Sequence, residues 1–333
     1  MKRTAVVFAL FLLASLTACG RQAPDITDTS VTPLAGKLAN QTVVQTEPTE
    51  RKTMAKVESS TVPFRPEVLT GKADDKANTF TGCRPLPAVT FSVSDPHNER
   101  KLPETAINHS FGVAKNEKPH QISVDSQAFF DQKGYNAVTY DNKTTDKVLY
   151  LTFDCGYENG LTGQILDILK ERNVPAAFFC TLDHIRSAPE LIARMIAEGH
   201  IIGNHSARHP NFTKITRTQM AEEIEACDNF LRERFGYSAP YFRFPEGAYS
   251  ENALELVQSL GYKSVFWSLA YADWDTAHQK GREYAFQTIT QRLHPGAIIL
   301  LHAVSADNAQ ALGDVIDYAR GQGYEFRALT QLA

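Results

Sequence analysis

The sequence predicts an α/β chain folded as a distorted or incomplete (β/α) barrel, and three observations carry that prediction. From Lys147 onward, short apolar runs rich in β-branched and aromatic residues alternate with amphipathic stretches of helical period. At least six such units follow in succession, enough to curl a parallel sheet on itself. Ionisable residues recur at the carboxyl ends of the runs, where a barrel of this kind gathers its chemistry.

The predicted strands cover residues 148–153, 176–180, 200–204, 241–244, 264–269, 297–301 and 325–329. Between them, spacing predicts helices over 162–172, 187–197, 217–235 and 308–321. Cys227 stands at helical spacing from Ile224, Phe230 and Leu231 and is expected to be a buried free thiol. These elements define a domain over 147–333. Ahead of it, residues 79–146 contain Phe111, Phe129, Phe130, Tyr135 and Tyr140 but no repeat, and are expected to form a small extension packed on that domain.

The amino-terminal part has another texture. Lys2 and Arg3 precede an apolar run from Ala5 that ends in Leu16, Thr17, Ala18 and Cys19. Such a run is far shorter than the ~20 apolar residues of a bilayer span, so residues 1–18 are expected to be an export signal. The small residues before Cys19 resemble a bacterial lipobox, which makes Cys19 the expected lipidated residue; an ordinary cleavage site beside an incidental cysteine is the alternative. Residues 19–78 are rich in Thr, Pro, Gln, Lys and Glu and too poor in apolar surface to offset their ordering entropy, so they read as a tether. No later segment is apolar for long enough to span, and membrane attachment is expected through the lipid alone.

Composition excludes some partners. With 43% hydrophobic residues and a formal net charge of -4, the chain lacks the basic clusters that would neutralise a phosphate backbone, so no nucleic-acid partner is expected. Five cysteines in 333 residues are too few for a disulfide framework. Nothing in the sequence indicates an oligomeric state.

Five ionisable residues sit where the fold would bring them to one mouth. Asp154 ends the first run, His205 the third, Arg243 the fourth and His302 the sixth, while Asp273 follows the fifth. His205 and His209 stand four apart, which one helical turn would place on one face; neutral imidazoles suit zinc, cobalt or nickel. Two surface histidines at the start of a helix would give the same spacing.

From Lys147 to Leu332 these residues resemble the polysaccharide deacetylases, the NodB homology domain or carbohydrate esterase family four. Thr152-Phe153-Asp154 looks like the first motif, and the resemblance makes Asp154 the general base. The segment His205 to His209 looks like the metal-binding motif. Arg243-Phe244-Pro245-Glu246-Gly247 resembles the third, whose arginine pairs with the base. Asp273-Trp274 resembles the fourth, whose Asp tunes the acid, and Leu300-Leu301-His302 resembles the fifth, whose histidine is that acid. The resemblance further implies substrate contacts from Pro245, Trp274, Leu300 and Tyr249, with a backbone N–H near Tyr249 completing an oxyanion site.

Closer similarity is to the subgroup that deacetylates N-acetylmuramic acid of peptidoglycan on the way to the δ-lactam. Asp154-Cys155-Gly156-Tyr157-Glu158-Asn159-Gly160, the stretch from Gly199 to His205, Val265 to Ser268 and His294 to Ala297 carry it. Peptidoglycan glycan strands are therefore the expected partner, with N-acetylglucosamine polymers as the alternative substrate. A catalytically inactive glycan-binding lipoprotein and a structural spacer are the alternative functions. Two departures stand out: Cys155 replaces the second, metal-binding aspartate, and Glu246 replaces a frequent basic residue. Cys155 is then either a third zinc ligand or a packing residue beside a weak two-histidine site.

Overall fold

A computed structural model describes residues 85–238 and 240–332. The expected signal, the tether, Cys19 and Cys83 lie outside the described residues. In chain order the elements are β1 (Ile107–Asn108), α1 (Gln121–Lys133), β2 (Ala137–Val138), β3 (Val148–Cys155), α2 (Thr162–Glu171), β4 (Ala176–Cys180), α3 (Leu182–Ser187), α4 (Pro189–Ala197) and β5 (Ile201–Asn204). There follow α5 (Arg217–Phe235), β6 (Tyr241–Phe242), a 3-10 turn (Pro245–Gly247), β7 (Ala248–Tyr249), α6 (Glu251–Ser259), β8 (Lys263–Val265), α7 (Arg282–Thr290), β9 (Ala297–His302), α8 (Ala306–Gly321) and β10 (Glu325–Phe326).

An eight-stranded parallel sheet runs β2, β8, β6, β5, β4, β3, with β9 and β10 both pairing β3. Every residue of β3 is buried, as expected where helices cover one face and curvature closes the other. The sheet curls into a distorted barrel because the chain beyond β8 turns back to β9: the Leu300 N–H donates to the Leu269 carbonyl at 2.9 Å. Strand 264–269 is accordingly shorter than its apolar run predicted.

Local rules explain the helix bounds. Thr216 and Gln219 form a reciprocal capping box that starts α5, and Gly236 ends it in the left-handed conformation at φ 58°. The run expected as one helix over 187–197 breaks at Ala188, because a residue before Pro189 is driven out of the helical region. Residues 85–94 follow α5: the Leu86 N–H reaches the Arg232 carbonyl at 3.0 Å, and the Val89 and Phe91 N–H groups donate to the Asn229 and Glu225 side chains. The extension then gives β1, which pairs antiparallel with β7 and so reaches the mouth. Among the described residues no helix is long and apolar enough to cross a membrane. Cys227 is fully buried with a free thiol.

Candidate active site

Asp154 and His302 are register partners on β3 and β9, so strand pairing alone holds them side by side at the carboxyl end of the sheet. Asp154 Oδ1 accepts from Arg243 Nη1 at 2.8 Å, and Oδ2 lies 3.6 Å from His205 Nε2. Arg243 leaves β6 with its N–H on the Asn204 carbonyl. Its fully buried guanidinium also donates to the Val265 and Phe266 carbonyls at 2.8 and 3.1 Å and rests 4.1 Å from the centre of the Phe179 ring. A buried cation needs this many partners. Gly203 makes the stack possible: a Cβ there would fall 2.4 Å from Phe179 Cδ1. Burial opposes ionisation of Asp154, but the Arg243 guanidinium above all, which also donates a hydrogen bond to it, outweighs that cost and holds the carboxyl below its usual range.

The second half of the site is built on His302. Its Nδ1–H donates to Asp273 Oδ1 at 2.7 Å, and its backbone N–H donates to Asp273 Oδ2 at 2.8 Å. Asn308 Nδ2 donates to the same Oδ2 at 2.5 Å. Three donors on one buried carboxylate fix the imidazole and leave its Nε2 for the cleft. Burial disfavours the imidazolium, yet Asp273 and then Asp154 outweigh that cost and raise the His302 pKa above the usual value. The two environments push an acid and a base apart in opposite senses, as acid–base pairs require.

His205 and His209 do come together, their ring centres 4.8 Å apart at 77°. The expected helical turn does not do this. Residues 205–210 form an irregular loop in which Ser206 and His209 take left-handed conformations at φ 68° and 58°. Asn204 Oδ1 accepts from the Ser206 N–H, and Ser206 Oγ from the His209 N–H, both at 2.9 Å. His205 Nδ1–H donates to the Arg243 carbonyl at 2.8 Å, which leaves Nε2 as a lone pair beside Asp154. Burial pushes its pKa down to about 4, so the ring is neutral near pH 7.

Cys155 does not join them. Successive strand residues point to opposite faces, so beyond Asp154 the next side chain turns toward the helices. Its sulfur groups there with those of Cys180 and with a ring nitrogen of His184.

An open cleft of about 520 Å³ exposes Asp154, His209 and His302. Trp274, half exposed with its ring 5.7 Å from that of His302, and Leu300 both line it. Tyr249 does not: it is 2% exposed within the aromatic group of Phe130, Phe244 and Phe266, and its strand is paired with β1. Pro245 is buried and outside the lining. Glu246 lines the cleft in a left-handed conformation, with Oε2 accepting from Asn211 Nδ2 at 2.8 Å.

Sequence reading did not place His109, Ser110 and Phe111 of the extension, or Trp267, in the cleft lining where they lie. His109 Nε2–H donates to the Trp267 carbonyl at 2.7 Å, and its N–H to the Gly247 carbonyl at 2.9 Å. Gly247, at φ 65°, has room for no side chain, since a Cβ would meet Trp267 Cη2 at 2.7 Å. Phe111 and the Val265–Ser268 stretch stand out in the sequence, but a two-residue strand leaves no period that would place them at the cleft.

The model of the polysaccharide deacetylase family matches residues 141–265. The peptidoglycan-N-acetylmuramic acid deacetylase PdaA of Bacillus subtilis is 41% identical over 232 residues, 69% of this chain and 87% of that protein. The chain belongs to the polysaccharide deacetylase family. An uncharacterised 30.6 kDa protein of Geobacillus stearothermophilus is 46% identical over 227 residues, 68% of this chain and 84% of its own. Among solved structures, Bacillus subtilis PdaA, a family 4 carbohydrate esterase, superposes with a TM-score of 0.66 and 41% identity over 69% of this chain and 98% of its own. A family 4 carbohydrate esterase from Bacillus anthracis gives 0.57 and 40% over 69% and 97%.

Deacetylases of this family are metal-dependent. The residues present fit such an ion: His205 Nε2 is a buried, unprotonated lone pair, and the neighbouring His209 ring offers a second nitrogen at the cleft edge.

Proposed function

We propose that this chain hydrolyses the acetamide of N-acetylmuramic acid in peptidoglycan strands, using Asp154 as base and His302 as acid. The observation that carries this reading is the pairing of two opposed ionisable dyads, Asp154 with Arg243 and His302 with Asp273, on register partners at one cleft. Likeness to Bacillus subtilis PdaA supports the choice of sugar.

An acetamide is resonance-stabilised, and its amine leaves poorly unless protonated. Asp154, ionised because Arg243 neutralises it, removes a proton from the attacking water. His302, kept protonated by Asp273, donates a proton through Nε2 to the departing nitrogen. A divalent ion, zinc with cobalt or nickel as substitutes, would be held by His205 and His209 and would polarise the acetyl carbonyl. Trp274 and Phe111, both lining the cleft, present apolar faces on which a sugar ring can stack. The sequence of residues 1–19 supports an exported, lipid-anchored location for the same reading.

Purified protein incubated with glycan strands should release acetate, and mass spectrometry of the digested strands should place the missing acetyl on muramic residues. Loss from glucosamine residues alone would assign the other sugar. No release from strands or chitin oligomers would refute the hydrolase reading.

A further inference from the structure

On the helix side of β3, behind Asp154, three potential soft-metal ligands meet. Cys155, its register partner Cys180 on β4 and His184 of α3 bring one ligand atom each within 4.8 Å of the others, and all three residues are fully buried. An imidazole removed from water needs partners for its nitrogens. Neither ring nitrogen of His184 makes a hydrogen bond of good geometry; the Tyr157 carbonyl and the Glu158 carboxylate are polar groups that reach it. Glu158 Oε2 is also buried without a partner, while Oε1 accepts only a long 3.4 Å bond from the Thr162 N–H.

Simple core packing leaves these polar atoms unexplained. A bond between the two sulfurs would leave the imidazole and the carboxylate as they are. We propose that Cys155, Cys180 and His184 form a second metal site, distinct from the histidine pair of the cleft, that takes a soft divalent ion of the Zn²⁺ class. Two thiols give up their protons to solvent, the resulting thiolates balance the ion's charge, and a neutral His184 nitrogen supplies the third ligand. The fourth position is open to a water, with the Glu158 carboxylate beside His184 as a polar neighbour. Zinc bond lengths place tetrahedral donors roughly 3.3 to 3.8 Å apart, so the cluster closes on an ion by small side-chain shifts. With three protein ligands from three elements the site ties β3, β4 and α3 together directly behind Asp154.

The test uses Co²⁺ and Zn²⁺ on the full chain, purified under reducing conditions and stripped of metal. His205→Ala/His209→Ala protein removes the cleft pair and should still bind one cobalt per chain, with a thiolate-to-cobalt charge-transfer band and tetrahedral d–d absorption. Cys180→Ser in that background should abolish the band, and zinc should raise the melting temperature only where Cys180 is present. Should the serine variant fail to fold, His184→Gln replaces it and should weaken cobalt binding more than about tenfold, a loss seen even for outer-shell changes. Absence of the sulfur band in wild-type protein, its persistence in Cys180→Ser, or a Cys155–Cys180 disulfide in protein taken from its oxidising compartment would overturn the site. None of these readouts depends on acetate release.

Discussion

Replacing Asp273 by Asn removes one charge from the His302 dyad while keeping its shape, and its effect can be worked out. Two unit charges ~4 Å apart at an effective dielectric of about 20 interact by roughly 4 kcal/mol, equivalent to about 3 pKa units. His302 retains 23% side-chain exposure and the second carboxylate of Asp154, which together discount the change to about 1 to 2 units. Hydrogen bonding acts in the same direction. Oδ2 must go on accepting from the His302 N–H and Asn308, so the new amide nitrogen faces Nδ1 and favours the deprotonated ring. With the pKa raised, wild-type His302 remains an acid to higher pH; in Asp273→Asn burial dominates and the acid is lost at lower pH. The alkaline limb of kcat/KM for acetate release should therefore move down by about 1 to 2 pH units, with roughly 10- to 100-fold lower activity at pH 7 to 8. A variant that loses activity by the same factor at every pH, with the limb unmoved, would refute the assignment of His302 as the acid.

Asp154→Asn should fold and lose about 10²- to 10⁴-fold in kcat, the range for a general base; circular dichroism with acetate release checks both halves. Because its pKa is lowered, the ionised base of the wild type should persist below the ordinary aspartate value of 3.8, placing any acid limb due to this group under that pH. Gly203→Ala drives a methyl into Phe179 beneath Arg243, and thermal melting should show roughly 1 to 3 kcal/mol of lost stability; an unchanged melting curve would show that the ring moves freely. Chelation should suppress acetate release, with recovery on adding zinc in wild-type protein and none in His205→Ala.

The fold was legible where burial is uniform. β3, β4 and β9 are nearly continuous apolar runs because both faces are covered, and their ends carry Asp154 and His302 without ambiguity. Spacing misled where backbone conformation overrides it. The histidine pair has a helical interval but is set by left-handed residues and by the Asn204 and Ser206 side chains. Tyr249 was expected to contact substrate because a motif position says nothing of which way a two-residue strand turns its side chain. Cys155 shows the opposite case: the alternation of strand faces, readable from the strand run, already separates it from Asp154. His109 to Phe111 were illegible, since their place depends on pairing with residues about 140 positions onward.

That pairing divides the labour of the molecule along its chain. Base, acid, their charge partners and the His205–His209 pair come from residues after 147, whereas part of the cleft lining is supplied by a segment that precedes the barrel and is stitched to it by β1 and β7. Proton transfer and this part of the lining are thus carried by separate segments, because the pairing of β3 with β9 alone holds Asp154 and His302 in register. A chimera carrying the corresponding segment of a relative with another sugar preference is the direct way to move selectivity, and trimming the chain to its barrel would leave the chemistry facing an unwalled groove.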